Sequence, residues 1–139
     1  MLNVVIMDAQ GGGIGKSLTE QLKKLLPQQR IVAVGTNSLA TAAMLKAGAD
    51  QGATGENAIR VTAASADLIL GPIGLVLCDA MLGEITGVMA CAVGSSPAHK
   101  ILVPVNKCQL TVAGCEPLTM SEAVSRAVRE AVQYLEEHS

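Results

Sequence analysis

The chain has 139 residues and a formal net charge of −2, and 50% of its residues are hydrophobic while only 16% are charged. A chain of this length and composition buries a sizeable core, so we expect a single domain over residues 1–139 that needs no disulfide or metal to fold. It has no Trp, no Phe and one Tyr, and therefore lacks the aromatic platforms and the positive charge that nucleic-acid binding uses. These features exclude nucleic acid as a predicted partner.

Three sequence features predict a cytoplasmic protein. The amino-terminal segment MLNVVIMD has no basic residue and reaches Asp8 early, unlike a signal peptide. No apolar run approaches the roughly 18 residues that a membrane span needs, so no membrane is predicted as a partner. The cysteines show no metal-binding spacing, which predicts reduced thiols and no metal site; they are Cys78, Cys91, Cys108 and Cys115.

The first third of the chain predicts two strand–helix pairs. Residues 4–7 form a continuous apolar run, which is typical of a central parallel strand that is covered on both faces. Residues 14–26 carry apolar side chains on one helical stripe, and Pro27 ends this predicted helix. Residues 31–34 predict a second buried strand, and the alanine-rich residues 39–47 predict a second helix.

The middle of the chain is less regular. Residues 48–56 contain three glycines and predict a loop, and residues 57–65 predict a short helix, with a strand as the alternative. Residues 68–70 predict the third strand. In residues 73–82 the apolar positions recur every three or four residues, which favours a helix over a strand.

The remaining elements complete an alternating pattern. Residues 86–94 predict a helix, residues 100–105 a fourth strand, and residues 110–113 leave room for a short fifth strand. The last helix begins at a cap, Thr119 or Ser121, and its buried face is formed by Ala123, Val124, Ala127, Val128, Ala131 and Leu135. Strands alternating with helices predict a three-layer, Rossmann-like α/β fold, with a mainly parallel sheet of four to five strands and helices on both faces.

The glycine-rich stretch between the first strand and the first helix is the strongest functional signal. Gly11, Gly12, Gly13 and Gly15 lie where backbone N–H groups and the positive end of a helix can receive a phosphate. The stretch matches no phosphate motif completely, because Gln10 stands where both G-x-G-x-x-G and G-x-x-x-x-G-K-[ST] need a glycine. The sequence therefore predicts a nucleotide- or dinucleotide-binding protein.

Small and polar residues also follow the other predicted strands. In parallel sheets, ligands bind beyond the carboxyl ends of the strands, so these residues are expected to share one crevice with the glycine-rich stretch. The predicted nucleotide site comprises Asp8, Gln10, Gly11, Gly12, Gly13, Ile14, Gly15, Thr36, Asn37, Gly71, Pro72 and Asn106.

The sequence leaves the nucleotide open. A dinucleotide site usually has an acidic residue at the end of the second strand, where it binds the adenosine ribose. That place holds Gly35, Thr36 and Asn37, and the absence of an acidic residue disfavours NAD. No arginine is evident nearby to bind the 2′-phosphate of NADP. A mononucleotide is equally possible. Asp8 would repel a phosphate unless it held a metal or a hydroxyl, so we expect it to accept hydrogen bonds from its own loop amides.

Catalytic groups are sparse, so catalytic residues and the question of enzymatic activity are left open. There is no Tyr-x-x-x-Lys pair, and His99 is expected at the end of the sheet opposite the crevice. No base partner is evident for a nucleophilic cysteine. The acidic candidates are Asp8, Glu56, Asp79 and Glu84.

Two other functions remain as alternatives. The apolar surplus between residues 73 and 93, which includes Met81, Leu82 and Met89, predicts a homo-oligomer and allows a non-enzymatic oligomerisation or adaptor module. The run Gly15-Lys16-Ser17 allows a P-loop-like nucleoside triphosphate hydrolase in which LVLCD is a strand and Asp79 holds magnesium. The helical prediction for residues 73–82 disfavours that strand.

Six short motifs are spread over nearly the whole chain. They are DAQGGGIG at 8–15, AVGTN at 33–37, GATGEN at 52–57, GPIG at 71–74, LGEIT at 82–86 and PVNKC at 104–108. In these motifs the chain resembles a family of small, Rossmann-like proteins catalogued as a domain of unknown function. Because that family has no assigned activity, the resemblance implies no reaction, cofactor or partner.

Overall fold

Five parallel strands form one sheet in the computed structural model, which describes residues 1–104 and 109–139. The strands are β1 (Val4–Asp8), β2 (Ile31–Gly35), β3 (Gln51–Thr54), β4 (Leu68–Pro72) and β5 (His99–Val103), in the spatial order β3-β2-β1-β4-β5. The predicted three-layer Rossmann-like architecture is confirmed, and every strand pair in the sheet is parallel.

Helices cover both faces of the sheet. The described helices are α1 (Gly13–Leu25), α2 (Ser38–Lys46), α3 (Glu56–Ser65), α4 (Gly87–Gly94) and α5 (Met120–His138). Helices α1, α2 and α5 pack on one face through Leu18, Met44 and Val124, among others. Helices α3 and α4 pack on the opposite face, where Ile59 and Val93 are fully buried. No described helix is both long and apolar enough to cross a membrane.

Strand β1 shows why the central run of the sequence is continuously apolar. Successive side chains of a strand point to opposite faces. Val4 and Ile6 join the core under α1 and α5, while Val5 and Met7 join the core under α3 and α4. All four side chains are buried because both faces are covered, as expected for a central parallel strand.

The loop prediction for residues 48–56 is wrong in part, because Gln51–Thr54 form β3 at the edge of the sheet. This strand pairs with β2 in parallel, with Ala53 opposite Val34. Its residues are exposed or half-buried, so the sequence carries no apolar run to indicate a strand. Glycine and aspartate around it favoured a loop.

The helix prediction for residues 73–82 is also wrong. Only Ile73–Val76 form a single turn of 3-10 helix. The chain then folds back on itself through residues 77–85, which we call the cover loop. Its backbone closes through hydrogen bonds from Asp79 N to Ile85 O at 2.8 Å and from Ile85 N to Ala80 O at 3.2 Å, so helical bonding cannot continue.

The carboxyl-terminal part follows the sequence prediction with two exceptions. The predicted short fifth strand at residues 110–113 is wrong, because these residues form no strand and are exposed. Strand β5 begins at His99, one residue before its predicted start, and Val105 lies outside the described residues. Thr119 caps α5 in a reciprocal pair of hydrogen bonds with Glu122, and the predicted buried face of α5 is confirmed.

Candidate functional site

A cavity of about 500 Å³ opens at the carboxyl end of β1. Strand β1 lies between β2 and β4, at the point where the strand order reverses and where sheets of this kind bind ligands. The floor of the cavity is formed by residues 9–14. We call residues 9–15, which include the first residues of α1, the glycine loop. Its wall is apolar and consists of Met81, Leu82 and Met120.

Two glycines of the loop are required by packing. Gly12 has a φ of +77°, and an added Cβ there would lie 2.8 Å from the Cα of Ala40. At Gly15 an added Cβ would lie 2.5 Å from the Sδ of Met44 and 2.9 Å from the Cβ of Asp8. Because neither residue has a side chain, the start of α1 can approach α2 and β1 closely, whether or not a ligand binds.

Gly11 and Gly13 differ from that pair. A Cβ added at either position would meet nothing within 4 Å, and neither has a positive φ. Both residues line the cavity. In the described part of the chain no acceptor is bonded to the N–H of Gly11 or Gly13, and α1 has no acidic residue in its first turn. The fold does not require glycine at these two positions.

Asp8 lies buried beneath the loop and accepts hydrogen bonds from it. Its Oδ1 accepts from Ala9 N at 2.7 Å and its Oδ2 from Gly15 N at 2.6 Å. This confirms the expected bonding of Asp8 to its own loop amides. Burial raises the pKa of Asp8 above its ordinary value, although the bonds from Gly15 and Ala9 oppose the shift, and the charge of Glu84 adds to it.

Glu84 of the cover loop binds the ends of two strands. Its Oε1 accepts hydrogen bonds from Gln10 N at 2.8 Å, from Asn37 Nδ2 at 2.6 Å and from the hydroxyl of Thr36. Burial acts to raise the pKa of Glu84, but the bonds from Thr36, Gln10 and Asn37 outweigh it and lower the pKa. A carboxylate from outside the glycine loop therefore stands at the carboxyl ends of β1 and β2.

A comparison with protein-family models matches residues 3–136 to the family described as Domain of unknown function (DUF3842). The chain belongs to this family. The match spans nearly the whole sequence and confirms the resemblance predicted from the six motifs. A comparison with curated proteins gives no significant match. Because the family description names no activity, the functional argument must come from the geometry of the site.

The structure brings together about half of the predicted site residues of this DUF3842 protein. Those that line the cavity are Asp8, Gln10, Gly11, Gly12, Gly13 and Ile14. Gly15 lies behind them, with its N–H bonded to Asp8. Asn106 lies outside the described residues.

The other predicted residues serve neighbouring contacts. Thr36 and Asn37 donate to Glu84, and Asn37 also caps α2 by accepting from Ala40 N at 2.9 Å. Gly71 and Pro72 are buried in β4 and do not line the cavity. A Cβ added at Gly71 would lie 2.4 Å from the carbonyl oxygen of Met7, so this glycine is explained by packing.

Sequence reasoning named Glu84 only as an acidic candidate and left it out of the predicted site. Residue 84 is far from the glycine loop along the chain, and no spacing rule connects the two. The available signal was the LGEIT motif at residues 82–86, in which a glutamate follows a glycine in a segment without clear periodicity.

The P-loop alternative requires LVLCD to be a strand that ends at a magnesium-binding Asp79, and the structure has no strand there. Leu75 and Val76 belong to the 3-10 turn, and Asp79 lies in a turn with a φ of +66° rather than at the end of a strand. Lys16 is exposed on the first turn of α1. The geometry gives this reading no magnesium-binding strand.

The other reactive side chains lie away from the cavity or belong to no recognisable catalytic or metal-binding group. His99 begins β5, at the amino end of the parallel strands and away from the cavity, and its ring stacks on Tyr134 with the ring centroids 4.5 Å apart. Cys78, Cys91 and Cys115 are exposed free thiols. Over residues 1–104 and 109–139, no group of three or more potential metal ligands lies together.

Proposed function

We propose that this protein binds a nucleotide or dinucleotide, with a phosphate held by the N–H groups of Gly11 and Gly13. The observation that carries the proposal is that the fold requires glycine at Gly12 and Gly15 but not at Gly11 and Gly13, which line the cavity. A residue without a side chain lets a ligand approach the backbone closely. Close approach accounts for glycine at these two positions.

The helix N-terminus and the bonding of Asp8 support the proposal, whereas the carboxylate of Glu84, which is bonded to Gln10 N, opposes an anion on the neighbouring Gly11. The N-terminus of α1 carries the partial positive charge of the helix dipole, which favours an anion at this place. The carboxylate of Asp8 lies beneath the loop and accepts from Gly15 N and Ala9 N, so it leaves the N–H groups of Gly11 and Gly13 for a ligand.

The apolar wall suits the rest of a nucleotide. Met81, Leu82 and Met120 face the glycine loop across the cavity. Methionine side chains adapt to the shape of a partner and make favourable contacts with aromatic rings. A cavity with a polar floor for phosphate and an adaptable apolar wall for a planar ring is typical of a small-molecule site.

Binding of NAD, NADP, FAD, ATP, GTP and coenzyme A, measured by calorimetry and thermal shift, tests the proposal. At least one should bind the wild-type protein, and Gly13→Asp should weaken that binding by about tenfold or more, because 1.4 kcal/mol of repulsion is sufficient. The same change should leave the fold intact, since an acidic residue in the first turn of a helix is favourable.

Gly94→Ala is the matched control. Gly94 is an exposed glycine at the end of α4, where a Cβ also meets nothing within 4 Å. This variant should bind like the wild type. The proposal is wrong if no compound binds at millimolar concentration, or if Gly13→Asp binds as tightly as the Gly94→Ala control.

The second candidate is an oligomerisation or adaptor module. Met89, which contributed to this prediction, is buried in the core, but Leu82 is 102% exposed at the tip of the cover loop and Leu39 is 69% exposed on α2. Such side chains favour contact with another protein surface. Sedimentation of the wild type beside Leu82→Ser should show dissociation of the variant if Leu82 holds copies together. A strictly monomeric wild type would contradict the predicted homo-oligomer.

A further inference from the structure

We infer that Glu84 is the ribose-binding residue of this site, and that the site selects nucleotides with a free 2′-hydroxyl. The inference rests on the proposed function and identifies the class of nucleotide. It assigns a specificity-determining role to a residue of the cover loop.

Glu84 lies at the place in the sheet where a ribose-binding acid is expected. In sheets with this strand order, an acidic residue at the end of the second strand binds the adenosine ribose. Strand β2 ends at Gly35 and is followed by Thr36 and Asn37, so β2 itself supplies no acid there. Glu84 is bonded to both Thr36 and Asn37, which places a carboxylate at the end of β2 although it comes from another part of the chain.

The two carboxylate oxygens of Glu84 are bonded unequally. The three bonds from Gln10, Thr36 and Asn37 all end on Oε1. Among the residues that the structure describes, no donor is bonded to Oε2. The side chain is thus fixed by one oxygen, and the other has no bonded donor. Glu84 does not itself line the cavity but is bonded to Gln10, which does. A ligand hydroxyl at this border would donate strongly to an ionised carboxylate.

The proposed sugar position at Glu84 and the proposed phosphate position at Gly11 are close together. Gln10 N is bonded to Glu84, and the next residue along the chain is Gly11, whose N–H is proposed to bind phosphate. Successive Cα atoms are about 3.8 Å apart. A group on Glu84 and a group on Gly11 are therefore neighbours, as the ribose and its 5′-phosphate are in a nucleotide.

The same carboxylate disfavours a 2′-phosphate. Neither ion pair found in the described part of the chain involves Glu84, so its charge is not neutralised by a lysine or arginine there. A phosphate on the 2′-oxygen would be placed against this negative charge. Repulsion of the wrong ligand is an effective source of specificity.

Calorimetric titration with matched nucleotide pairs tests the inference. The pairs are NAD with NADP, and AMP with adenosine 2′,5′-bisphosphate, at one fixed ionic strength. The wild type should favour the first member of a pair by about tenfold or more, which corresponds to 1.4 kcal/mol. Glu84→Gln keeps an oxygen for the three donors but removes the charge, so the preference should fall to near onefold.

Glu136→Gln is the control, because it makes the same change of charge on an exposed face of α5. This variant should keep the wild-type preference. A purely structural role of Glu84 would change both affinities of a pair together and leave their ratio constant, and that result would overturn the inference. So would tighter NAD binding by Glu84→Gln, which would mean that Glu84 blocks the ribose position.

The two proposals fail in different ways. If binding is sensitive to Gly13→Asp but the preference is absent or does not respond to Glu84→Gln, the nucleotide site stands and the role of Glu84 is wrong. If no member of either pair binds the wild type, the inference about Glu84 is overturned, and the panel of other nucleotides decides whether the proposed function falls with it.

Discussion

The glycine loop and the cover loop meet at the bond between Gln10 and Glu84, but they are built differently. The glycine loop is fixed by close packing, with Gly12 against Ala40 and Gly15 against Met44. The cover loop is held by its own backbone bonds and by Glu84. It contains three residues other than glycine with left-handed φ: Asp79, Met81 and Leu82.

This difference separates what the fold needs from what a site needs. Left-handed backbone is costly for residues with a side chain and tends to persist where the surroundings impose it, often at functional sites. The glycine loop avoids this cost at Gly12 and accepts it once, at Gln10, which has a φ of +51°. The cover loop accepts it three times and delivers Glu84 to the ends of β1 and β2.

The largest expected effect is on the glycine loop. Gly12→Ala combines a φ of +77° with a Cβ only 2.8 Å from the backbone of Ala40. Overpacking and left-handed strain together should lower the free energy of unfolding by about 3 kcal/mol. Urea denaturation measures the change, with Gly11→Ala as the control that should stay within about 0.5 kcal/mol. Equal stability of the two variants would remove the distinction between the packing and cavity glycines.

A substitution in the cover loop is expected to raise, not lower, the free energy of unfolding. Leu82 has a φ of +59° and a fully exposed side chain, so Leu82→Gly relieves strain without removing buried contacts. Stability should rise by about 1 kcal/mol. Leu39→Gly is the control, because this exposed leucine is in α2 and its replacement should cost about 1 kcal/mol. Thermal unfolding that shows both variants to be destabilised would mean that the cover loop is unstrained.

The smallest effect concerns pH. The pKa of Glu84 is lowered in the folded state by the bonds from Thr36, Gln10 and Asn37, against the effect of burial. A lowered pKa contributes stability that is present above the ordinary carboxyl pKa and is lost as the pH falls through the folded-state value. Glu84→Gln should therefore lose less stability on acidification than the wild type. Parallel acid-denaturation curves for the two proteins would contradict this.

Sequence patterns predicted the elements whose signals are local. The buried run of β1 and the capped face of α5 follow directly from residue spacing, and both are confirmed. The predicted stripe of α1 is confirmed at Leu18 and Leu22, whereas Leu25 is exposed. Strand β3 was missed because an exposed edge strand needs no apolar run. The helix predicted for residues 73–82 is wrong because their apolar residues recur at helical spacing, whereas backbone bonds such as that from Asp79 N to Ile85 O decide the path of the chain.

In the candidate site, too, the features with a local sequence signal could be predicted and those that depend on tertiary contacts could not. The glycine loop was visible in the sequence because its residues are consecutive, and six of the predicted site residues line one cavity. The role of Glu84 was not visible, because its contacts with Gln10, Thr36 and Asn37 join positions that no local pattern relates. Which glycines serve packing could be learned only from the neighbours of each Cβ.

The buried carboxyl group of Asp8 has a thermodynamic consequence for any anion that settles on the adjacent amides. Such an anion brings a second negative charge close to Asp8 and raises its already elevated pKa further. At a pH between the pKa values of Asp8 in the free and the occupied protein, complex formation is accompanied by proton uptake from the solvent, and affinity increases as the pH falls through that range. Occupancy of the cavity and hydrogen-ion concentration are therefore linked variables in this molecule.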